Sequence, residues 1–232
     1  MKGVYNNIVK GVRQYFQKSK INKAVIGLSG GIDSALALRL TADAIGNRNV
    51  TALIMPEKGL TKKEDVKDAI NFCKSLNVKY KIIEINNIVN QFKGVKQNKI
   101  SLINLKPRIR MLILYNYANA NNALVIGTSN KTELTLGYFT KYGDGACDLE
   151  VIGDLYKTEV RALARYLKLS ENIINKVPSA GLFKGQTDEK EIGARYEDID
   201  KMLKGKKKVS SKIKKLIQKN KHKGEKVVVI KK

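Results

Sequence analysis

A buried apolar run, Ala24-Val25-Ile26-Gly27-Leu28, passes directly into Ser29-Gly30-Gly31-Ile32-Asp33-Ser34 and then into helix-period residues from Ala35 to Ile45. Strand, tight turn and helix in that order constrain the fold more than any other stretch. An apolar strand leading into a helix is the opening of a parallel sheet covered by helices. The alternation continues, with strands predicted at Val50–Met55 (closed by Pro56), Tyr80–Ile85 and Ala123–Ile126 (ending in Gly127). Between them lie an amphipathic opening helix (Val4, Ile8, Val12, Tyr15, Phe16) and a helix to about Leu76 with Thr61 and Glu64 as its capping box. A helical stretch follows from about Asn86 with a break near Gly94, then a longer helix around Arg108–Asn119. Further helices are expected at about Thr158–Leu167 and Asp188–Leu203, while Gly127 to Val151 lacks periodicity and reads as a site-forming loop. The expected class is α/β, a doubly wound, Rossmann-like parallel sheet flanked by helices.

Composition narrows the function more than the fold. With 232 residues and 43% hydrophobic content the chain has enough apolar surface for one sizeable core, which excludes collagen and global disorder. No apolar stretch approaches the roughly 20 residues of a membrane helix, and the start lacks a signal-peptide core. Cys73 and Cys147 are far apart without metal-ligand spacing, so a reducing cytoplasm is expected. Cys73 reads as a buried small residue, and Cys147 as a site-loop residue without a nucleophilic role. The net charge of +24 first suggests a nucleic-acid binder. Residues 201–232, however, carry 14 lysines and one acid, Glu225, so more than half the excess is a basic C-terminal segment. Its apolar Val209, Ile213, Leu216 and Ile217 recur at helical spacing, which predicts packing through one face. The expected organisation is therefore a body over 1–204 and a Lys-rich segment, 205–232, packed on it.

The turn at 27–34 carries chemistry. Two glycines allow a tight turn, successive N–H groups at the helix start face a common anion, and Ser29 and Ser34 add hydroxyls. Neither the Walker pattern nor Gly-x-Gly-x-x-Gly fits. Asp33 beside a phosphate is repelled unless a cation intervenes, and magnesium is the natural bridge. The plainer reading makes Asp33 a helix cap on a glycine turn.

Ser-Gly-Gly-x-Asp-Ser after the first strand resembles the pyrophosphate-binding loop of the N-type ATP pyrophosphatases. Gly127-Thr128-Ser129-Asn130-Lys131-Thr132-Glu133 and Leu136-Gly137-Tyr138-Phe139-Thr140-Lys141-Tyr142-Gly143-Asp144-Gly145 resemble the signature of the NAD synthetase family within that superfamily. Asp148, Leu155-Tyr156-Lys157-Thr158, Pro178-Ser179-Ala180-Gly181-Leu182 and Gly185-Gln186-Thr187-Asp188-Glu189 continue the resemblance in order, over roughly residues 20–203. It implies an adenine nucleotide α-hydrolase-like fold and an ATP-driven amidation of deamido-NAD to NAD with ammonia, through an adenylated intermediate.

Residue by residue, the resemblance implies that Gly27, Leu28, Ser29, Gly30, Gly31, Ile32, Asp33 and Ser34 hold ATP phosphates. Asp33 and Glu133 would ligate Mg2+, Lys157 would neutralise phosphate during transfer, and Thr128 and Ser179 would bind ATP. Arg108, Lys141 and Asp148 would bind deamido-NAD, with His222-Lys223 reaching it from a partner subunit of a homodimer. The plainer readings are a first-turn helix acid for Glu133, a solvated helix-start lysine for Lys157 and an exposed histidine for His222. Arg110 and Arg161 read as ordinary surface or ion-pair contacts. Only about 20 residues precede the first strand, so a glutaminase domain is not expected there. Ammonia, free or from a separate glutaminase, is the expected nitrogen source. The rival reading is a lysidine-forming tRNA-modifying enzyme of the same superfamily. A non-enzymatic RNA-binding module is a third, and it leaves Asp33, Glu133 and Lys157 without a shared purpose.

Overall fold

The computed structural model describes residues 1–179, 181–183 and 185–231; Ala180, Lys184 and Lys232 lie outside the described residues. The elements run α1 (Lys2–Ser19), β1 (Lys23–Gly27), α2 (Ile32–Ile45), β2 (Val50–Ile54), α3 (Lys63–Ser75), β3 (Lys79–Ile82), α4 (Asn86–Asn90) and α5 (Lys99–Asn121). The second half follows as β4 (Ala123–Gly127), α6 (Lys131–Leu136), β5 (Leu149–Glu150), α7 (Lys157–Tyr166), α8 (Glu171–Ile174), α9 (Asp188–Ile192), α10 (Tyr196–Leu203) and α11 (Ser211–Asn220).

The five strands form one parallel sheet in the order β3-β2-β1-β4-β5. Side chains alternate between its faces, as the pleat requires. Ala24 and Ile26, Ala52 and Ile54, and Leu124 and Ile126 enter a core shared with α1, α2, α3 and α7. Val25, Leu53 and Val125 point the other way, onto Ile85, Ile109 and Ala118 of the α4–α5 layer. Both faces are thus covered, and the doubly wound α/β class is observed. The strand order reverses between β1 and β4, so the loops leaving their carboxyl ends border one crevice, the usual ligand position in such sheets.

Several boundaries differ from expectation for identifiable reasons. Thr61 does not cap α3; its Oγ1 accepts the Glu57 N–H at 2.9 Å, and α3 starts after Lys62 without a side-chain cap. The third strand ends at Ile82, although Ile83 and Ile85 still donate to the Ile54 and Pro56 carbonyls beside it. α5 begins earlier than expected, under an Asn98–Ser101 capping box, and continues through Pro107. The region 127–151 is less irregular than its composition suggests, holding α6 and the fifth strand. The helix expected over 188–203 is split by Gly193, at φ +81°.

Part of the basic segment lies against α6, α9 and α10. Ile213 of α11 joins Leu136, Ile192, Tyr196, Ile199 and Met202 in a separate cluster, with Val209, Leu216 and Ile217 against it. Val227–Ile230 beyond it stay exposed. Among the described residues no helix is long and apolar enough to cross a membrane.

Candidate active site

At the end of β1 the chain turns through Gly30, whose φ of +82° an L side chain rarely adopts. A Cβ there would lie 2.3 Å from the Asp65 carbonyl oxygen, so the turn also needs glycine for its approach to α3. Leu28 donates to the Leu53 carbonyl at 2.9 Å, fixing the root of the loop to the sheet. The loop's own hydroxyls occupy its donors: Ser29 N–H meets Ser34 Oγ at 3.3 Å, and Gly31 N–H meets Ser29 Oγ at 3.2 Å. These are weak local contacts of a kind that an anion could displace. Gly31 is the N-cap of α2 and carries no side-chain cap, so the dipole end of a 14-residue helix faces the same space.

Asp33 does not cap that helix. Its carboxylate crosses to Lys157, with Nζ 2.5 Å from Oδ2, while Oδ1 accepts from Asn130 Nδ2 at 2.9 Å. The same ammonium lies 3.3 Å from Glu133 Oε1. Lys157 is 2% exposed, which rules out a solvated helix-start lysine. Burial disfavours its charge, but Asp33 and Glu133 outweigh that and hold its pKa above the ordinary lysine value. Burial pushes the Glu133 carboxyl up, and the Lys157 charge opposes the rise. Two carboxylates from α2 and α6 therefore converge on one cation position. Among the described residues no group of three or more His, Cys, Asp or Glu could hold a metal. Asp33 and Glu133 offer two oxygen ligands, which suits Mg2+ that keeps waters and takes phosphate oxygens for the remainder.

The supporting residues were not legible in the sequence. Asn130, fully buried, makes a capping box with Glu133 and also holds Asp33, so it sets the spacing of both carboxylates. Asp200 of α10, 2% exposed, accepts from Thr132 Oγ1 at 2.6 Å and from the Thr158 N–H at 2.8 Å. That carboxylate at the start of α7 offsets the lysine that helix carries at its positive end. The Tyr196 ring lies 4.9 Å below Lys157 Nζ, and its hydroxyl donates to Asp188 Oδ2 at 3.2 Å. Burial, with Glu133 and Asp188 nearby, pushes that hydroxyl far above its usual range, so it remains a donor.

Of the other expected ATP residues, Thr128 is half-buried just past β4, and Ser179 is exposed between α8 and α9, accepting from the Gly181 N–H at 3.1 Å. Four of the five residues expected at deamido-NAD come together in one chain. Arg108 donates to the Lys141 carbonyl at 3.3 Å, Lys141 Nζ donates to the His222 carbonyl at 2.7 Å, and Lys223 Nζ reaches the Gly137 and Phe139 carbonyls at 2.8 and 2.9 Å. Asp148 is held by different partners: its oxygens accept from the Val125 N–H at 2.7 Å and from the Tyr115 hydroxyl at 3.3 Å.

Arg110 is not a surface contact. Its half-buried guanidinium donates to the Met55 carbonyl at 3.0 Å, and burial lowers its pKa. Arg161 pairs with Glu197, as an ordinary ion pair. Cys73 is fully buried, its thiol pushed up to about 11 by burial, and the Cys147 thiol is pushed up still further, so neither is a ready nucleophile. Glu150, unmarked by any motif, lies beside Gly127 and Ser129 at the end of β4. Its Oε2 accepts the Ser129 N–H at 3.1 Å, and its Oε1 is buried without a hydrogen-bond partner.

The chain is similar to known proteins in sequence and fold. A family model described as NAD synthase matches residues 4–231. The NH(3)-dependent NAD(+) synthetase of Archaeoglobus fulgidus is 52% identical over 203 residues, covering 87% of this chain and 82% of that one. The solved NH3-dependent NAD synthetase of Campylobacter jejuni is 39% identical with a TM-score of 0.81, covering 99% of this chain and 98% of that one. The solved NMN synthetase of Francisella tularensis is 38% identical with a TM-score of 0.91, at coverages of 99% and 98%. With its glycine turn after β1 and its carboxylate–lysine cluster meeting at the crevice between β1 and β4, the chain belongs to the NAD synthase family.

Proposed function

We propose that this chain is an ammonia-dependent NAD synthetase that amidates deamido-NAD to NAD at the expense of ATP. The observation that carries the reading is the convergence of Asp33, Glu133 and Lys157 beside the phosphate loop. A carboxylate resists ammonia until one of its oxygens becomes a good leaving group. The nicotinate oxygen would attack the α-phosphorus of ATP, forming the acyl–O–P bond as pyrophosphate leaves with the electrons of the broken P–O bond. Ammonia would then form the C–N bond, AMP would leave with its oxygen, and the nitrogen would shed a proton.

In this reading residues Gly27 to Ser34 hold the phosphates, assisted by Thr128 and Ser179, and the buried Lys157 ammonium meets charge on the transferring phosphate. Asp33 and Glu133 would hold Mg2+, which supplies positive charge to the pyrophosphate leaving group. Arg108, Lys141, Lys223 and His222 would receive the dinucleotide, with Asp148 acting through its hold on β4. A homodimer is expected, with cytoplasmic location and ammonia from solution or a separate glutaminase; His222 and Lys223 sit against Lys141, Gly137 and Phe139 of their own chain. The basic segment 205–232 is taken as an appendage of the body 1–204.

The test is to incubate the pure protein with ATP, Mg2+, ammonium and deamido-NAD. NAD and AMP should form one for one, and AMP formed only when tRNA is added would overturn the reading in favour of the tRNA-modifying rival. A second reading concerns the acceptor, because the TM-score of 0.91 is to a protein described as NMN synthetase. Nicotinic acid mononucleotide in a parallel reaction compares the two acceptors by kcat/KM, and the curated relatives favour the dinucleotide.

A further inference from the structure

Lys176, which no motif reading assigned, makes three contacts with its ammonium, each at 2.8 Å: the Gly30 carbonyl oxygen, Asp65 Oδ1 and Asp68 Oδ2. The contacts with Gly30 and Asp68 are hydrogen bonds, and the contact with Asp65 is an ion pair. Two of its partners belong to α3 and the third to the phosphate loop. We propose that Lys176 is a positioning residue for ATP: it holds the Gly30–Gly31 peptide in the orientation that receives phosphate and cancels the two α3 carboxylates beside the loop. The inference rests on the assignment of loop 27–34 to ATP phosphates.

Peptide planarity supplies the first half. In a trans peptide the carbonyl of one residue and the N–H of the next point to opposite sides. Tying the Gly30 carbonyl outward to Lys176 therefore aims the Gly31 N–H inward, where it now meets Ser29 Oγ at 3.2 Å. Gly30 needs this restraint because glycine gives the turn little stiffness of its own. Charge supplies the second half. The Asp65 backbone packs against Gly30 so closely that an added Cβ would sit 2.3 Å from its carbonyl oxygen. Asp65 and Asp68 are thus close to the space a polyphosphate would fill, and an unneutralised pair there opposes binding. Lys176 also precedes Pro178 and Ser179, the start of a strand of chain that returns to the Glu133 network where the Asp188 N–H donates to the Pro178 carbonyl at 3.1 Å.

The experiment is steady-state kinetics on Lys176→Met, with KM measured separately for ATP and deamido-NAD. The ATP KM is expected to rise about tenfold or more, as for a lost charged hydrogen bond, while the deamido-NAD KM moves less than about twofold. Inhibition by pyrophosphate should weaken in parallel with ATP. Lys176→Arg, which keeps charge and reach, should recover most of the ATP affinity. If the single variant fails to fold, the Asp65→Asn, Asp68→Asn, Lys176→Met combination strands no carboxylate yet leaves the carbonyl unheld. It too should show a raised ATP KM. An ATP KM within about twofold of wild type in either folded variant overturns the proposal, as does an equal change in both KM values. Failure of the underlying assignment looks different: wild-type protein itself would then neither bind ATP nor be inhibited by pyrophosphate.

Discussion

Asp33 stands in the first turn of α2, where a carboxylate is already favoured by the helix dipole, yet its side chain reaches across the crevice to a lysine from another helix. A residue placed only for helix stability has no reason to make that crossing. Replacing it by Asn removes one of the two carboxylates that compensate Lys157 and leaves Glu133 in place, so the fold should survive with a lower Tm. Adenylation should fall at least about 100-fold, the scale of losing a preorganised electrostatic contact. Pyrophosphate release in the absence of ammonia measures it, and wild-type rates in a folded Asp33→Asn protein would sink the role. Glu150 makes a different prediction. Burial raises its carboxyl pKa to about 7 from 4.5. A raised acid binds its proton more tightly in the folded state, so its stabilisation is complete below about 4.5 and is lost as pH rises through about 7. Glu150→Gln, which cannot ionise, should therefore gain on wild type across that window, by roughly 1–3 kcal/mol at the upper end. Urea unfolding at several pH values checks it; parallel curves for the two proteins would show that Glu150 does not titrate on unfolding.

At the scale of elements, β1, its turn and α2 were readable because each has a strong local cause: an unbroken apolar run, paired glycines and a helical period. β5 was not, because two residues hydrogen-bonded to Ile126 and Gly127 leave no pattern to detect. At six residues α6 is too short to show a helical period, and only the Asn130–Glu133 box marks its start. The motif residues of the site were visible for similar reasons, being clustered near the ends of β1 and β4. Tyr196, Asp200 and Lys176 act through tertiary contacts with residues far away in sequence, so nothing local marks them; for Asn130 the box with Glu133 is local, but its hold on Asp33 is not. The tail helix α11 sits between these cases: its period was clear, and its partner surface was not. Ile213, 1% exposed, anchors it to α9 and α10. Ile213→Ala should cost about 2–5 kcal/mol of local stability and open the segment beyond residue 205 to protease. Because Lys223 is seated just past that helix, the deamido-NAD KM should rise more than the ATP KM. Unchanged proteolysis would mean that the helix is held by something other than this contact.

For the whole molecule, a doubly wound sheet with its order reversing between β1 and β4 brings two distant loops to one crevice. A net charge of +24 repels itself when compact, while two polyanionic substrates are drawn to it. Salt should therefore act in opposite directions on the two properties. Between about 20 and 300 mM salt the Debye length falls from about 20 to 6 Å, so Tm should rise while the KM values for ATP and deamido-NAD rise as well. Thermal melts and kinetics over the same salt series test this, and a Tm that falls with salt would contradict net self-repulsion.

In the proposed reaction ATP activates the nicotinate carboxylate by adenylation at the site formed by loop 27–34, Asp33, Glu133 and Lys157. The most direct measurement is oxygen tracing. Deamido-NAD carrying 18O in its nicotinate carboxylate is converted with ATP and ammonium, and the AMP and pyrophosphate are examined by mass spectrometry. Adenylation predicts one 18O atom in each AMP formed and none in pyrophosphate. AMP without the label would contradict the account.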